Sequence, residues 1–213
     1  MKKLGRIYVI NSQRIYPSGF FEALERAFKG GAEVFQLRLK GVPRSEIVQV
    51  GKRVRKITRK YGVTFIVNDD PLIAREVEAD GVHVGKGDFR VTEARQILGS
   101  EKIIGASSYD DIERALALQE EGADYVGFSS PFSSPTKPDK PITPPEVIRE
   151  AASKLSIPIY VIGGVTDENV LEVLKLGVYG VAVISYAFDR GDPYENVKRL
   201  REKVYRYFEE NPQ

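Results

Sequence analysis

The chain has 213 residues, 42% of them hydrophobic, which is enough for one sizeable core. Its 32 basic and 30 acidic side chains leave a net charge of +2, so neither nucleic acid nor a membrane surface is expected as the main partner, and any anion binding must be local. Cysteine is absent, which excludes a disulfide frame, thiolate catalysis and a cysteine-type zinc site. The opening Met1-Lys2-Lys3-Leu4-Gly5-Arg6 leads into only four apolar residues, too few for a signal peptide or a membrane span, so a cytoplasmic protein is expected. High charge with a single methionine is also a composition seen in heat-stable proteins.

Along the chain, short apolar runs rich in β-formers alternate with longer amphipathic segments. A strand is expected over 6–10, then a helical pattern over 20–27, a strand over 33–38, a helical pattern over 47–61 and a strand over 63–68. Asp70 followed by Pro71 reads as a helix start. Strands follow over 81–84 and 102–106, and Ser108 with Asp111 resembles a capping box ahead of the helical pattern 112–121. The sixth strand, over 124–128, precedes the longest irregular stretch, 129–141, whose length suits a functional lid. Thr143, Pro144 and Glu146 read as a second capping box before the helical pattern 147–154. The last strands are expected over 158–162 and 179–184. A closing helix over 194–210 carries Tyr205, Tyr207 and Phe208, to be packed on the outside, with an exposed part as a candidate contact in a homo-oligomer. Eight strands at regular spacing predict a single (β/α)8 barrel domain over residues 1–213, in preference to a doubly wound open sheet.

In such a barrel the chemistry sits at the carboxyl ends of the strands. Those ends carry Gln36, Arg38 and Lys40; Asn68 and Asp69; Asp88; Ser107; Ser134, Thr136 and Lys137; Gly163 and Gly164; and Ile184 and Ser185. Hard carboxylates, cations and amide-rich turns together describe a magnesium ion and more than one phosphate group. Gln36, Arg38 and Lys40 alternate with apolar neighbours and so share one face of their strand. With Asp70 as the cap before Pro71, Asp69 is free to point into the mouth. Gly163 and Gly164 follow an apolar strand and precede Thr166 to Asn169, read as a cap and first helical turn, so this junction lets backbone approach an anionic phosphate. His83, the sole histidine, falls inside the fourth strand and is read as a hydrogen-bonded core residue with no catalytic role. Without histidine or cysteine at the mouth, chemistry that needs no strong base fits best, and metal-assisted departure of pyrophosphate is of that kind.

The runs 36–40, 68–70, 79–85 with Asp88, 103–107, 122–127, 134–137, 162–165 and 180–183 appear in an order that resembles the thiamine phosphate synthase family over nearly the whole chain. The resemblance implies a transferase that joins a hydroxymethylpyrimidine diphosphate to a thiazole phosphate, with small phosphorylated molecules as its partners. It implies Mg2+ on Asp69 and Asp88, and pyrophosphate contacts from Arg38, Lys40, Asn68 and Lys137. Gln36 and Ser107 are implied at the pyrimidine or its diphosphate, with Lys137, Arg38 and Ser107 as the catalytic set. The thiazole phosphate is implied on Gly163, Gly164, Ile184 and Ser185, with Ser134 and Thr136 nearby. Two departures stand out: Lys86 and Gly87 replace a glutamine and an acidic residue, and the segment from Ser129 to Ser134 replaces a pattern opening with glycine and proline. The related thiazole tautomerase carries a histidine near the position of Ser129 and Ser130, and this chain lacks it. A non-catalytic phosphate-ligand regulatory barrel is the alternative of another class, supported by Lys86 and the serine-rich loop.

Overall fold

A computed structural model of the chain describes residues 4–133 and 142–212. Among the described residues eight strands, β1 (Ile7–Ile10), β2 (Val34–Leu37), β3 (Thr64–Asn68), β4 (Gly81–Val84), β5 (Ile103–Tyr109), β6 (Tyr125–Ser129), β7 (Ile159–Ile162) and β8 (Gly180–Val183), close into one barrel in chain order. All neighbours pair in parallel, and β1 meets β8 with Tyr8 opposite Ala182. The expected strands fall where the sequence places them, except that β5 continues to Tyr109 past a register shift between Ser107 and Tyr109. Ser107 therefore lies within a strand, where its orientation is fixed by the pleat.

Helices α1 (Phe20–Lys29), α2 (Arg44–Tyr61), α3 (Pro71–Glu76), α4 (Val91–Leu98), α5 (Ile112–Glu120), α6 (Pro145–Lys154), α7 (Val170–Leu174), α8 (Ser185–Phe188) and α9 (Pro193–Glu210) connect or follow the strands. No helix among the described residues is long and apolar enough to cross a membrane. Asp70 caps α3 by accepting from the Leu72 and Ile73 N–H groups at 2.8 and 3.1 Å, with Pro71 as the first helical residue. The two expected capping boxes do not form. Asp111 alone caps α5, through the Arg114 N–H at 2.9 Å, while the buried Ser108 hydroxyl donates to the Gly127 carbonyl at 3.0 Å and ties β5 to β6. Thr143 Oγ1 is buried with no partner among the described residues, and α6 begins without a side-chain cap. Pro144 takes the cap position and Pro145 the first helical one, so Thr143 stands one residue before the cap.

One apolar layer lies between strands and helices; another fills the barrel interior with Tyr8, Ile10, Val34, Ile66, Ile103, Tyr125, Tyr160 and Ala182. The rings of Tyr8, Tyr125 and Tyr160 meet edge to face, with centroids 5.2 to 5.8 Å apart. Gly105 opposite Tyr125, and Gly127 and Gly180 on either side of Tyr160, make room for two of the three rings. At the amino end of the barrel, α9 packs on α1 and α7, its Phe208 ring lies 3.4 Å from the Arg6 guanidinium carbon, and its Tyr205 hydroxyl donates to Glu33 at 2.5 Å. The last helix thus packs on the outside, its aromatic residues reaching Arg6 and Glu33 beside the amino ends of β1 and β2.

A Cβ added at Gly105 would stand 2.0 Å from the Tyr125 ring. Gly105→Ala is expected to cost about 1–3 kcal/mol, as overpacking does. Urea unfolding measures this, and an unchanged midpoint would show that the ring can move aside without loss.

Candidate active site

The carboxyl ends of the strands open into a cavity of about 190 Å³. Alternation along each strand decides what faces it. Gln36, Arg38, Asn68, Ser107, Gly163, Gly164, Ile184 and Ser185 all line it, drawn from β2, β3, β5 and the ends of β7 and β8. Lys40, Asp69 and Asp88 are outside that lining and form a charged group beside it. Ser134, Thr136 and Lys137 lie outside the described residues.

Within the charged group, Asp69 adopts a left-handed backbone, φ 69°, one residue after β3, while its N–H donates to the His83 carbonyl at 2.7 Å. Aspartate tolerates this conformation better than most residues. With Asp70 occupied as a cap, the Asp69 carboxylate pairs with the Lys40 ammonium. Asp88 accepts from the Gly85 N–H at 2.8 Å. Burial raises the Asp88 carboxyl above its ordinary value, the Gly85 bond opposes that, and a shared hydrogen bond with Asp69 raises it further. The two carboxylates are neighbours. Lys86 is exposed, and its backbone N–H donates to the Tyr109 hydroxyl at 3.1 Å.

The glycine pair has a second purpose beyond ligand approach. A Cβ at Gly164, where φ is +62°, would stand 2.1 Å from the Ser133 carbonyl oxygen, so this glycine admits the chain that leaves β6. Ser130 Oγ accepts from the Phe132 N–H at 3.0 Å and donates to the Gly163 carbonyl, tying that segment to the pair. Thr166 Oγ1 accepts from the Glu168 N–H at 3.2 Å as a cap would, but a turn intervenes and α7 itself starts at Val170. After β8, Ile184 turns directly into the four-residue α8, which Ser185 opens. A short helix at this point is a frequent component of phosphate sites in parallel barrels.

The cavity floor is a continuous row of polar side chains. Gln36 Nε2 donates to the Tyr8 hydroxyl at 2.7 Å, the Tyr8 and Tyr125 hydroxyls are 2.8 Å apart, His83 Nδ1 is 3.0 Å from the Tyr125 hydroxyl, and His83 Nε2 is 2.8 Å from Ser107 Oγ. His83 is hydrogen-bonded, as its position in the strand suggests, yet it faces the cavity and not a sealed core. Burial pushes it down to about 4, with Asp69 opposing, so at neutral pH its ring is uncharged. Burial raises both Tyr8 and Tyr125, which keep their hydrogens.

A family model for thiamine monophosphate synthase matches residues 7–187. The chain belongs to that family. The thiamine-phosphate synthase of Caldanaerobacter subterraneus is 42% identical over 190 residues, covering 89% of this chain and 88% of the relative. That of Pyrococcus horikoshii is 40% identical over 205 residues, covering 96% and 95%. A solved structure of the thiamine phosphate pyrophosphorylase from Pyrococcus furiosus superposes with a TM-score of 0.86 at 37% identity, covering 94% of this chain and 96% of that one. Within the thiamine monophosphate synthase family reading, the tautomerase alternative is not favoured by these relatives, all of them named as synthases or pyrophosphorylases.

Sequence reasoning passed over Tyr8, Tyr109, Tyr125 and Tyr160 as lining residues and Ser130 as a tie. The available signal was a tyrosine at an inward register position in otherwise aliphatic strands, such as Tyr8 in Ile7-Tyr8-Val9-Ile10.

Because Asp88 is raised in the folded chain, its contribution to stability is present at low pH and is lost as pH rises through the raised value. At pH 7, without divalent cations, Asp88→Asn is therefore expected to raise the thermal midpoint. Calorimetry in chelator tests this, and a lower midpoint would mean that neither burial nor Asp69 burdens the Asp88 charge.

Proposed function

We propose that this chain is a thiamine-phosphate synthase, transferring the pyrimidinylmethyl group of hydroxymethylpyrimidine diphosphate to the nitrogen of a phosphorylated thiazole, or of its carboxylate form, with release of pyrophosphate. Family membership over residues 7–187 carries the reaction class. The observation that carries the assignment of the site is the meeting, at one barrel mouth, of the Asp69–Asp88 pair with a neutral polar floor and a glycine–serine rim.

The residues present fit a magnesium ion. Asp88 is raised first by burial and further by its neighbour Asp69, both of which a divalent cation held between the two carboxylates would offset, and magnesium commonly takes one or two carboxylates with the remaining positions left to water and substrate phosphates. Among the described residues no cluster of three or more histidine, cysteine or acidic side chains offers a fuller cage. Asp69 and Asp88 would hold the ion, and when bound it supplies charge neutralisation for a diphosphate.

The remaining work is electrostatic and positional. The C–O bond between the pyrimidine methylene and the diphosphate breaks, and its electron pair leaves with pyrophosphate, while the amino group of the ring stabilises the positive methylene. Arg38, which faces the cavity, together with Lys40, Asn68 and Lys137, is assigned to the departing charge. The thiazole nitrogen then forms the C–N bond with its lone pair. That nitrogen carries no proton, so no base is needed, which suits a floor whose single histidine is neutral and bonded through both nitrogens. Gly163, Gly164, Ile184 and Ser185 are assigned to the thiazole phosphate, and Ser134 and Thr136 are assigned nearby. Binding both rings in one cavity converts the step into an oriented encounter.

Asp88→Ala and Lys137→Ala are each expected to slow turnover by roughly a hundredfold or more, the usual effect of removing one preorganised electrostatic group. The assay is magnesium-dependent pyrophosphate release with both substrates present. Rates within about threefold of wild type for both variants would remove these residues from their roles. Binding of the two substrates without release by the unaltered chain would favour a phosphate-ligand regulatory barrel.

A further inference from the structure

The row on the cavity floor has a direction, and the proposed reaction does not by itself require one. Each hydroxyl carries one hydrogen and a neutral imidazole carries one, so a row of such groups can point only one of two ways. Gln36 gives a hydrogen from Nε2 to Tyr8 at 2.7 Å. Tyr8 then accepts, and its own hydrogen goes to the Tyr125 oxygen, 2.8 Å away. Tyr125 in turn donates to His83 Nδ1 at 3.0 Å, which leaves the imidazole hydrogen on Nε2, facing Ser107 Oγ at 2.8 Å. Ser107 accepts there and keeps its O–H for the cavity. At the other end, Gln36 is left with Oε1, an acceptor, unclaimed by the row.

We propose that Tyr8, Tyr125 and His83 are positioning residues that set the hydrogen-bond polarity of the cavity, holding Ser107 as a donor and Gln36 as an acceptor, and so select an aminopyrimidine over its oxo counterpart. An aminopyrimidine offers an amino N–H to Gln36 Oε1 and a ring-nitrogen lone pair to the Ser107 hydroxyl. The oxo ring presents a carbonyl oxygen where the amino group stood, and two acceptors then face each other. Reversing the row would reverse this preference, because Gln36 would turn its amide N–H to the ligand and Ser107 would spend its hydrogen on His83. Both hydroxyls in the middle belong to almost wholly buried residues and have no other side-chain partner in the row, so breaking one link frees both ends. This selection rests on the placement of the pyrimidine against Gln36 and Ser107, whereas the direction of the row does not.

The chain contains one histidine, so nitrogen NMR of labelled, ligand-free protein reads His83 without further assignment. At pH 7 the wild type is expected to show a bare Nδ1 and a protonated Nε2, and Tyr125→Phe a mixture of the two tautomers. In turnover, the wild type is expected to prefer the amino over the oxo pyrimidine diphosphate in kcat/KM by roughly a hundredfold or more, and Tyr125→Phe to lose about tenfold of that preference. A wild-type ring protonated on Nδ1 overturns the polarity. The expected tautomer with an amino-to-oxo preference equal in wild type and Tyr125→Phe overturns the selection while leaving the synthase reading intact. If the wild type does not turn over the amino substrate at all, the synthase reading fails and the selection with it, while the NMR result still decides the direction. Should Tyr125→Phe fold poorly, Tyr8→Phe cuts the same row one link earlier and is held to the same outcomes.

Discussion

A closed barrel of parallel strands has no edge, and its backbone groups are largely spent on one another, so a buried polar side chain that points inward must find its partner among the other inward side chains or at the few backbone carbonyls at the barrel's ends. That constraint organises this molecule. Tyr8, Tyr125 and Tyr160 are almost wholly buried, and each hydroxyl is accounted for: two join the row that ends at Gln36 and Ser107, and Tyr160 donates downward to the Gly5 carbonyl. The rings need volume, and the strands supply it by placing glycine opposite Tyr125 and Tyr160, most tightly at Gly105. Packing and hydrogen bonding in the interior are therefore solved by the same residues, and their upper surface is the floor of the cavity.

From that floor the mouth divides into two chemical zones. Below, the polar groups are neutral: the histidine is held down to about 4 and the tyrosines are raised, so ring edges meet dipoles whose directions are fixed. Beside the opening, Lys40, Asp69 and Asp88 carry charge and remain partly open to solvent. A neutral heterocycle belongs in the first zone and a diphosphate next to the second. One bond links them, since the backbone N–H of Asp69 donates to the carbonyl of His83 and holds the left-handed turn against β4. This turn carries Asp69 toward Asp88 while the next residue is spent on capping α3.

Much of this was legible because period-two burial and helix starts are local. The eight strands, the Asp70–Pro71 start and the position of Gln36, Arg38, Asn68, Gly163, Gly164, Ile184 and Ser185 along the cavity follow from pattern alone. What was not legible depended on contacts across the barrel. Ser108 has the spacing of a cap, but its hydroxyl is drawn to the Gly127 carbonyl on the adjacent strand. Thr143 has it too, but Pro144 takes the cap position and leaves Thr143 one residue before it. Gly164 reads as ligand-facing, whereas its closest demand comes from the Ser133 carbonyl, contributed by a different strand's loop.

His83 shows the same limit most sharply. In one dimension it is a lone histidine between valines, and the ordinary expectation of a satisfied interior residue is correct as far as it goes, since both ring nitrogens are bonded. What the strand pattern cannot express is that its partners come from β5 and β6 and that those partners continue to β1 and β2. A hydrogen bond satisfied in isolation costs a residue its freedom; a hydrogen bond satisfied in series transmits a constraint to the next residue, because each group has a single hydrogen to give. The residue that looks most like plain filler in the strand is thus the one that connects the two ligand-facing ends.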